Sequence, residues 1–178
     1  MVFCAIPNEK ASKDWTVSDS DVFMLFWGAK ITRIMYDFLL QTHSILRYFI
    51  LLALVVVVIK ALMGFINKQP YGKWDNKLGL YLFIFTHMQL LVGLILYFIS
   101  PFVQFGSNTM KVQETRYWTV EHIFAMLIAV VLITLARSTS KRMKDDTSKH
   151  KRMLIFNTIA LVVIVATIMM SGRKLVGM

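Results

Sequence analysis

Four long apolar runs divide the chain, and each approaches the length needed to cross a lipid bilayer. They cover residues 45–65, 78–99, 120–136 and 154–170. A helix rises ~1.5 Å per residue, so spanning a ~30 Å hydrocarbon core takes about 20 apolar residues. Soluble helices seldom stay apolar on every face for so long, because only one stripe needs burying. The pattern therefore predicts an all-α integral membrane protein, a four-helix bundle with up-down-up-down topology.

Turn-forming residues between the runs set the boundaries of this bundle. Pro101 stops the second span, and Ser171-Gly172 closes the fourth. We predict a four-span bundle over residues 35–172 and a C-terminal tail at 173–178. The four spans are placed at about residues 38–65, 78–100, 118–137 and 152–171.

Residues 1–34 form a short N-terminal extension with a different character, in which charged residues alternate with two brief apolar patches. Neither patch is long enough for a signal-peptide core, and no basic region precedes one. Three interpretations stay open. The segment is poorly ordered, or Phe23, Phe26 and Trp27 form an interfacial helix because aromatic rings favour the headgroup level. Otherwise the start is misassigned and Met35 is the first residue.

The net charge of +10 accompanies a composition that is 57% apolar. Nucleic-acid binders are also basic, but here the positive residues flank hydrophobic spans, so the lipid bilayer is the predicted partner and no nucleic-acid partner is expected. The loops after spans one and three carry ten Lys and Arg residues, against at most eight on the opposite side. Cytoplasmic loops carry the excess, which predicts that both termini face outward.

Two histidines are predicted at matching depth in spans one and three. Taking Phe38 and Trp118 as the outer edges, His43 and His122 each lie roughly 6–8 Å deep. Matched depth is what two axial ligands of one haem require, and helix bundles build cofactor sites from facing side chains. Arg47, one turn after His43, would pair with a haem propionate through its fork geometry. The alternative is that both histidines only bridge neighbouring helices by hydrogen bonds.

Stripes at helical spacing accompany these histidines and mark the faces expected to contact other helices. On span one the stripe comprises His43, Arg47, Ile50, Leu54 and Ala61, and on span three His122, Ala125, Ala129, Ile133 and Ala136. Span two presents Thr86, Gln89, Gly93, Tyr97 and Ser100, and span four presents Asn157, Ala160, Ile164, Thr167 and Ser171.

His87 and His150 are further candidates as metal ligands, but they lack a partner at matching depth. His87 lies near the middle of span two, where it suits an interhelical hydrogen bond, a haem ligand, a quinone contact or a proton relay. His150 lies among Lys and Arg residues and is predicted at the inner surface with no role. Their depths differ by over ~10 Å, so we expect one haem rather than two.

Several enzyme signatures are missing from the sequence. It holds no Walker loop, no GxGxxG after a strand, no HExxH and no serine elbow. Glu and Asp are confined to loops and span ends, which disfavours a cation-driven pump. An electron carrier is therefore favoured over a catalyst.

Four segments of the chain resemble a known family. They are Thr42-His43-Ser44-Ile45-Leu46-Arg47, residues 85–94 with Leu96-Tyr97-Phe98, Val120-Glu121-His122 and Lys149-His150-Lys151-Arg152. Over residues 35–170 the chain is similar to small four-span bacterial membrane proteins labelled cytochrome b or cytochrome b561-like. The resemblance implies a multi-pass electron carrier of the bacterial inner membrane that holds haem b, with His43, His87, His122 and His150 as candidate ligands.

The two-haem b561 pattern places histidine pairs at both membrane faces, whereas here only the outer pair is matched. We therefore expect haem b held by His43 and His122, with quinone or a respiratory-chain protein as electron partner and an oligomer as one form of assembly. The alternative function is that of a cofactor-free membrane scaffold or accessory subunit, whose histidines only bridge helices.

Overall fold

A computed structural model describes residues 19–106 and 109–171, and these are helical apart from short connections. The helices are α1 (Asp19–Ile66), α2 (Lys73–Ile99), the single-turn α3 (Gln113–Arg116), α4 (His122–Arg142) and α5 (Asp146–Met170). A π-helical turn, Tyr117–Glu121, joins α3 to α4. The described part of the chain contains no strand, so the predicted all-α class is confirmed.

Four of these helical segments are long and apolar enough to cross a membrane. They are Ile31–Ile66, Lys73–Ile99, Gln113–Arg142 and Asp146–Met170. Each extends beyond its apolar run, because charged and aromatic residues at the span ends continue the same helix. Large apolar side chains also point outward, such as Phe98, which is 81% exposed. Such a surface suits hydrocarbon rather than water, as expected for a multi-pass membrane protein.

The chain divides into two compact units, residues 1–35 and residues 36–178. In the first unit, the described residues 19–35 belong to α1, which begins well before the predicted start of span one. Phe23, Phe26 and Trp27 lie within α1. The rest of the predicted extension, residues 1–18, and the predicted tail at 173–178 lie outside the described residues.

Contacts along the second unit establish the directions of α1, α2 and α4. His43 and Lys60 of α1 contact Gly93 and Asp75 of α2 respectively, so these two helices are antiparallel. Tyr97 bonds to the carbonyl of Thr119 at one end of α2. At its other end, Arg137 of α4 bonds to Asn76. α2 and α4 are therefore antiparallel, and α1 and α4 run in the same direction.

The core lies where the four predicted stripes meet. Leu54 of α1, Ala136 of α4 and Ala160 of α5 are completely buried, and Leu82 of α2 is 1% exposed. Alanines at these positions let the backbones approach closely, which is how helices associate when lipid surrounds them. Most predicted stripe positions are buried as expected: Ile50, Leu54, Ala61, Thr86, Ala129, Ile133, Ala136, Asn157, Ala160, Ile164 and Thr167.

Polar contacts fix the connections at the end of the bundle opposite His43. Asp75 accepts a hydrogen bond of 2.9 Å from the backbone N–H of Gly72 and forms an ion pair of 3.2 Å with Lys60. Asp145 caps α5 by accepting a bond of 2.8 Å from the N–H of Ser148. That bond lowers the pKa of the Asp145 carboxyl below its usual value.

Candidate histidine site

The imidazoles of His43 and His122 lie next to each other between α1 and α4. Their ring centroids are 6.5 Å apart, and the ring planes meet at 65°. A metal ion with a ~2 Å bond to each ring would place the two centroids about 6 Å apart. The observed separation is close to that spacing, so the two rings fit as ligands on opposite sides of one metal ion.

Each of the two rings carries a buried nitrogen without a hydrogen-bond partner. Among the described residues, nothing bonds to the Nδ1 atom of His43 or to that of His122. A buried polar atom left unpaired costs about 1–3 kcal/mol. Neutral imidazole binds metals through either ring nitrogen. Two such rings side by side are a donor set that suits a shared ligand.

Helix α2 holds His43 in place from a second side. The Gln89 side-chain Nε2 donates a hydrogen bond of 2.9 Å to the backbone carbonyl of His43. Gly93 lies against the imidazole, since a β-carbon there would be 3.1 Å from its Cε1 atom. The sequence places both residues on one stripe of α2, but its spacing does not reveal that this stripe faces His43.

The π-helical turn immediately precedes His122 and sets the direction of its side chain. The His122 N–H bonds to the carbonyl of Tyr117, five residues earlier. Turns of this kind widen a helix locally and occur often at functional sites. The rings of Tyr117 and Trp118 lie 5.8 Å and 5.4 Å from that of His122. No pattern in the sequence indicates this turn.

Tyr117 also connects the site to α5. It is 5% exposed, and its hydroxyl donates a hydrogen bond of 2.8 Å to the carbonyl of Thr167. Glu121 forms an ion pair of 2.6 Å with Arg116. The carboxylate beside His122 is thus directed toward α3.

Arg47 lies close enough to the pair for its charge to act on both imidazoles. Its Nη2 atom donates a bond of 3.0 Å to the hydroxyl of Tyr48, and its guanidinium carbon is 4.7 Å from the centre of that ring. The Arg47 Nε atom is buried and has no partner among the described residues. Arg47 therefore provides a positive charge and an unused donor beside the histidine pair.

His87 is not part of the pair. It is half-buried, and its Nδ1 atom lies 2.8 Å from the carbonyl of Phe83 on the same helix. Since a carbonyl only accepts, Nδ1 is the protonated nitrogen in this bond. The Phe83 ring lies 4.2 Å away. Both contacts stay within α2.

His150 is buried within the protein, where it is only 2% exposed. It follows the first turn of α5, and its ring lies against Gly64 of α1 and 5.0 Å from the ring of Tyr71. The neighbouring Lys151 and Arg152 are exposed. Lys151 and Arg152 therefore face away while the imidazole of His150 faces the bundle, an arrangement that helical geometry permits.

The His150 pocket is separate from the histidine pair. Gly64 lies 21 residues after His43 on α1, which corresponds to ~30 Å along the helix. Neither ring nitrogen of His150 has a hydrogen-bond partner among the described residues. The structure thus brings His43 and His122 together, and leaves His87 and His150 each apart from them and from each other.

The histidine pair offers two protein ligands. In the described parts of the chain, no three His, Cys, Asp or Glu side chains are grouped to hold a metal ion. Haem iron needs only two axial ligands, because the porphyrin supplies the rest. The donor set therefore fits haem better than a bare metal ion.

Comparison of the chain with protein-family models, with curated proteins and with solved structures gives no match in any of the three. Arguments about function depend on the site itself.

Proposed function

We propose that this protein is a b-type cytochrome-like electron carrier that holds haem b between His43 and His122. One observation carries the proposal. Two imidazoles from parallel helices lie 6.5 Å apart, and each keeps a buried nitrogen without a partner in the described chain. Bound haem would supply one-electron oxidation and reduction, which no side chain of the site can perform.

The protein's own residues would then hold and tune the group. His43 and His122 would hold the haem iron through their ring nitrogens, and Arg47 would pair with a propionate. Tyr117 and Trp118 would exclude water from the His122 side. Gly93 would keep the space beside His43 free of any side chain. Dry surroundings and fixed ligands are the means by which a protein sets a reduction potential.

The proposal includes a location and a partner. The excess of Lys and Arg in two loops supports a topology in which both termini face outward from the bacterial inner membrane. The histidine pair would then lie near the outer face. Quinone or a respiratory-chain protein would exchange electrons there.

The test is a reduced-minus-oxidised absorption spectrum of the full-length protein, purified from cells supplied with a haem precursor. We expect a sharp visible band from bis-histidine haem, and we expect it to be lost in His43→Ala and in His122→Ala. His87→Ala is the matched control and should keep the band, because the hydrogen bond of that ring to Phe83 and its packing on the Phe83 ring both lie within α2.

Two results would overturn the proposal. One is a wild-type protein, folded and monodisperse, without any haem band. The other is a band that survives in both His43→Ala and His122→Ala. The first would favour the cofactor-free scaffold, in which polar contacts such as that between Tyr117 and Thr167 only connect helices. The second would show that residues other than His43 and His122 hold the haem.

A further inference from the structure

A basic cavity of about 310 Å³ opens at the end of the bundle opposite the histidine pair. It lies between the start of α2, the end of α4 and the first turn of α5. Four cations contribute to its wall, Lys73, Arg137, Lys141 and Lys149, together with the neutral polar side chains of Tyr71, Asn76 and Ser140. In the described part of the chain, no carboxylate belongs to this wall. The haem proposal makes no use of this cavity.

Most of the positive charge in this basic cavity is not neutralised by the protein. Lys149 forms an ion pair of 2.7 Å with Asp146. Among the described residues, no ion pair reaches Lys73, Arg137 or Lys141. Like charges that converge without counter-ions repel one another, so the cavity favours an anion.

One of these cations is already held in place. Arg137 donates hydrogen bonds of 3.1 Å and 3.4 Å to the carbonyl and the side-chain oxygen of Asn76. A guanidinium has five N–H donors, so these bonds leave others for a ligand. A guanidinium held by two hydrogen bonds beside lysine ammonium groups is well suited to phosphate, which accepts paired hydrogen bonds from arginine.

The depth of the basic cavity indicates where the anion would come from. Lys73 is the first residue of its span, and Lys141 is next to the last of its own. Both therefore lie where the helices leave the hydrocarbon and meet lipid headgroups. The volume equals roughly ten waters at ~30 Å³ each, enough for a phosphate and its attached glycerol. Basic pockets between transmembrane helices bind anionic headgroups in this way.

We propose that the basic cavity is a binding site for a phosphate group, carried by an anionic phospholipid or present as free phosphate. Lys73 and Lys141 would contribute charge, and Arg137 would orient the phosphate oxygens.

The test measures lipid binding to the full-length protein in neutral detergent by native mass spectrometry. The probes are phosphatidylglycerol, phosphatidylcholine and inorganic phosphate. The variant Lys73→Gln/Lys141→Gln removes two cations from the cavity wall. Lys144→Gln/Lys151→Gln is the matched control, because it removes two exposed cations at the same end of the bundle that do not line the cavity.

We expect wild type to prefer phosphatidylglycerol to phosphatidylcholine. A cation near the membrane surface contributes about fivefold to such binding, so the cavity variant should bind phosphatidylglycerol about 25-fold more weakly. The control should stay within about threefold of wild type, since its charges act only at a distance. If millimolar inorganic phosphate displaces phosphatidylglycerol, the site is supported with free phosphate as its ligand. If phosphatidylglycerol stays bound, the site is supported with the lipid headgroup as its ligand.

Equal losses in the two double variants would overturn the proposal, because binding would then follow net charge alone. Equal binding of both lipids to wild type, together with no binding of inorganic phosphate, would also overturn it. If the cavity variant does not fold, Lys73→Gln and Lys141→Gln are measured singly. Each should weaken binding about fivefold, and no change in either contradicts the site.

Discussion

The imidazole of His150 on α5 lies against the backbone of Gly64 on α1, in the space that a β-carbon would occupy. Both residues are buried. Glycine at this position lets α1 and α5 approach at the end of the bundle that also contains the basic cavity. The contact explains why a histidine with charged neighbours is almost fully covered.

Gly64→Ala should therefore destabilise the bundle. The new methyl group would overlap the His150 ring, and overpacking of this kind costs about 1–3 kcal/mol. Alanine also favours helix by about 0.5–1 kcal/mol over glycine, which offsets part of the loss. Thermal unfolding in detergent should show a lower midpoint for the variant than for wild type.

Gly79→Ala is the matched control for this substitution. Gly79 is also buried within a helix, but its added β-carbon would meet the flexible end of Met153 at 3.0 Å. A methionine terminus moves easily, so the helix preference of alanine should dominate and the midpoint should stay equal or rise. A midpoint for Gly64→Ala at or above that of Gly79→Ala would contradict the close contact.

Helical spacing in the sequence is sufficient to predict the faces of the bundle. Ile50 and Leu54 of α1 are buried as expected, and so are Ala129 and Ile133 of α4. A stripe of this kind follows from 3.6 residues per turn, which is a local property. The depths of His43 and His122 are also predicted locally. Each depth is the number of residues from the outer end of that histidine's own span multiplied by the helical rise per residue.

Other features depend on contacts between distant parts of the chain. Spacing does not tell which helix the Gly93 stripe faces, and the structure places it against His43. The π-helical turn before His122 has no sequence signal. The burial of His150 follows from the start of α5 at Asp146 and from the glycine that faces it on α1. The sequence alone supplies neither of these two facts.

Tyr117→Phe tests whether the contact between Tyr117 and α5 stabilises the bundle independently of the histidine pair. The change removes the hydroxyl that bonds to Thr167 but keeps the ring beside His122. Hydrogen bonds between membrane helices average about 0.6 kcal/mol, and a bond to a buried carbonyl contributes up to about 1.5 kcal/mol. We expect a modestly lower unfolding midpoint and an unchanged haem band.

Tyr81→Phe is the control for Tyr117→Phe, because the side chain of Tyr81 is 53% exposed on the outside of the bundle. Its midpoint should match that of wild type. Should Tyr117→Phe unfold at the wild-type temperature, the bond to Thr167 would contribute nothing measurable. Should it lose the haem band, the hydroxyl would have a role in the site beyond connecting helices.

Tyr71 should make the bundle sensitive to alkaline pH. It lies in the connection between α1 and α2, half-buried against His150. Burial raises the pKa of its hydroxyl above the usual value near 10, although a hydrogen bond with Ser140 opposes this. In the unfolded chain the hydroxyl ionises at about pH 10, whereas the folded protein keeps its proton to higher pH. The contribution of the protonated Tyr71 hydroxyl to stability is therefore fully present below about pH 10, and it is lost as pH rises through the folded pKa.

Unfolding midpoints measured between about pH 9 and pH 11 test this linkage. Wild type should lose stability more steeply across that range than Tyr71→Phe, which has no proton to lose at this position. Ser140→Ala removes the hydrogen bond that opposes the shift, so the pKa of Tyr71 should be higher in this variant than in wild type. The stability of Ser140→Ala should therefore fall more steeply with pH than that of wild type. Parallel curves for wild type and Tyr71→Phe would show that other groups cause the alkaline loss, and that burial of this hydroxyl has no effect on the stability of the fold.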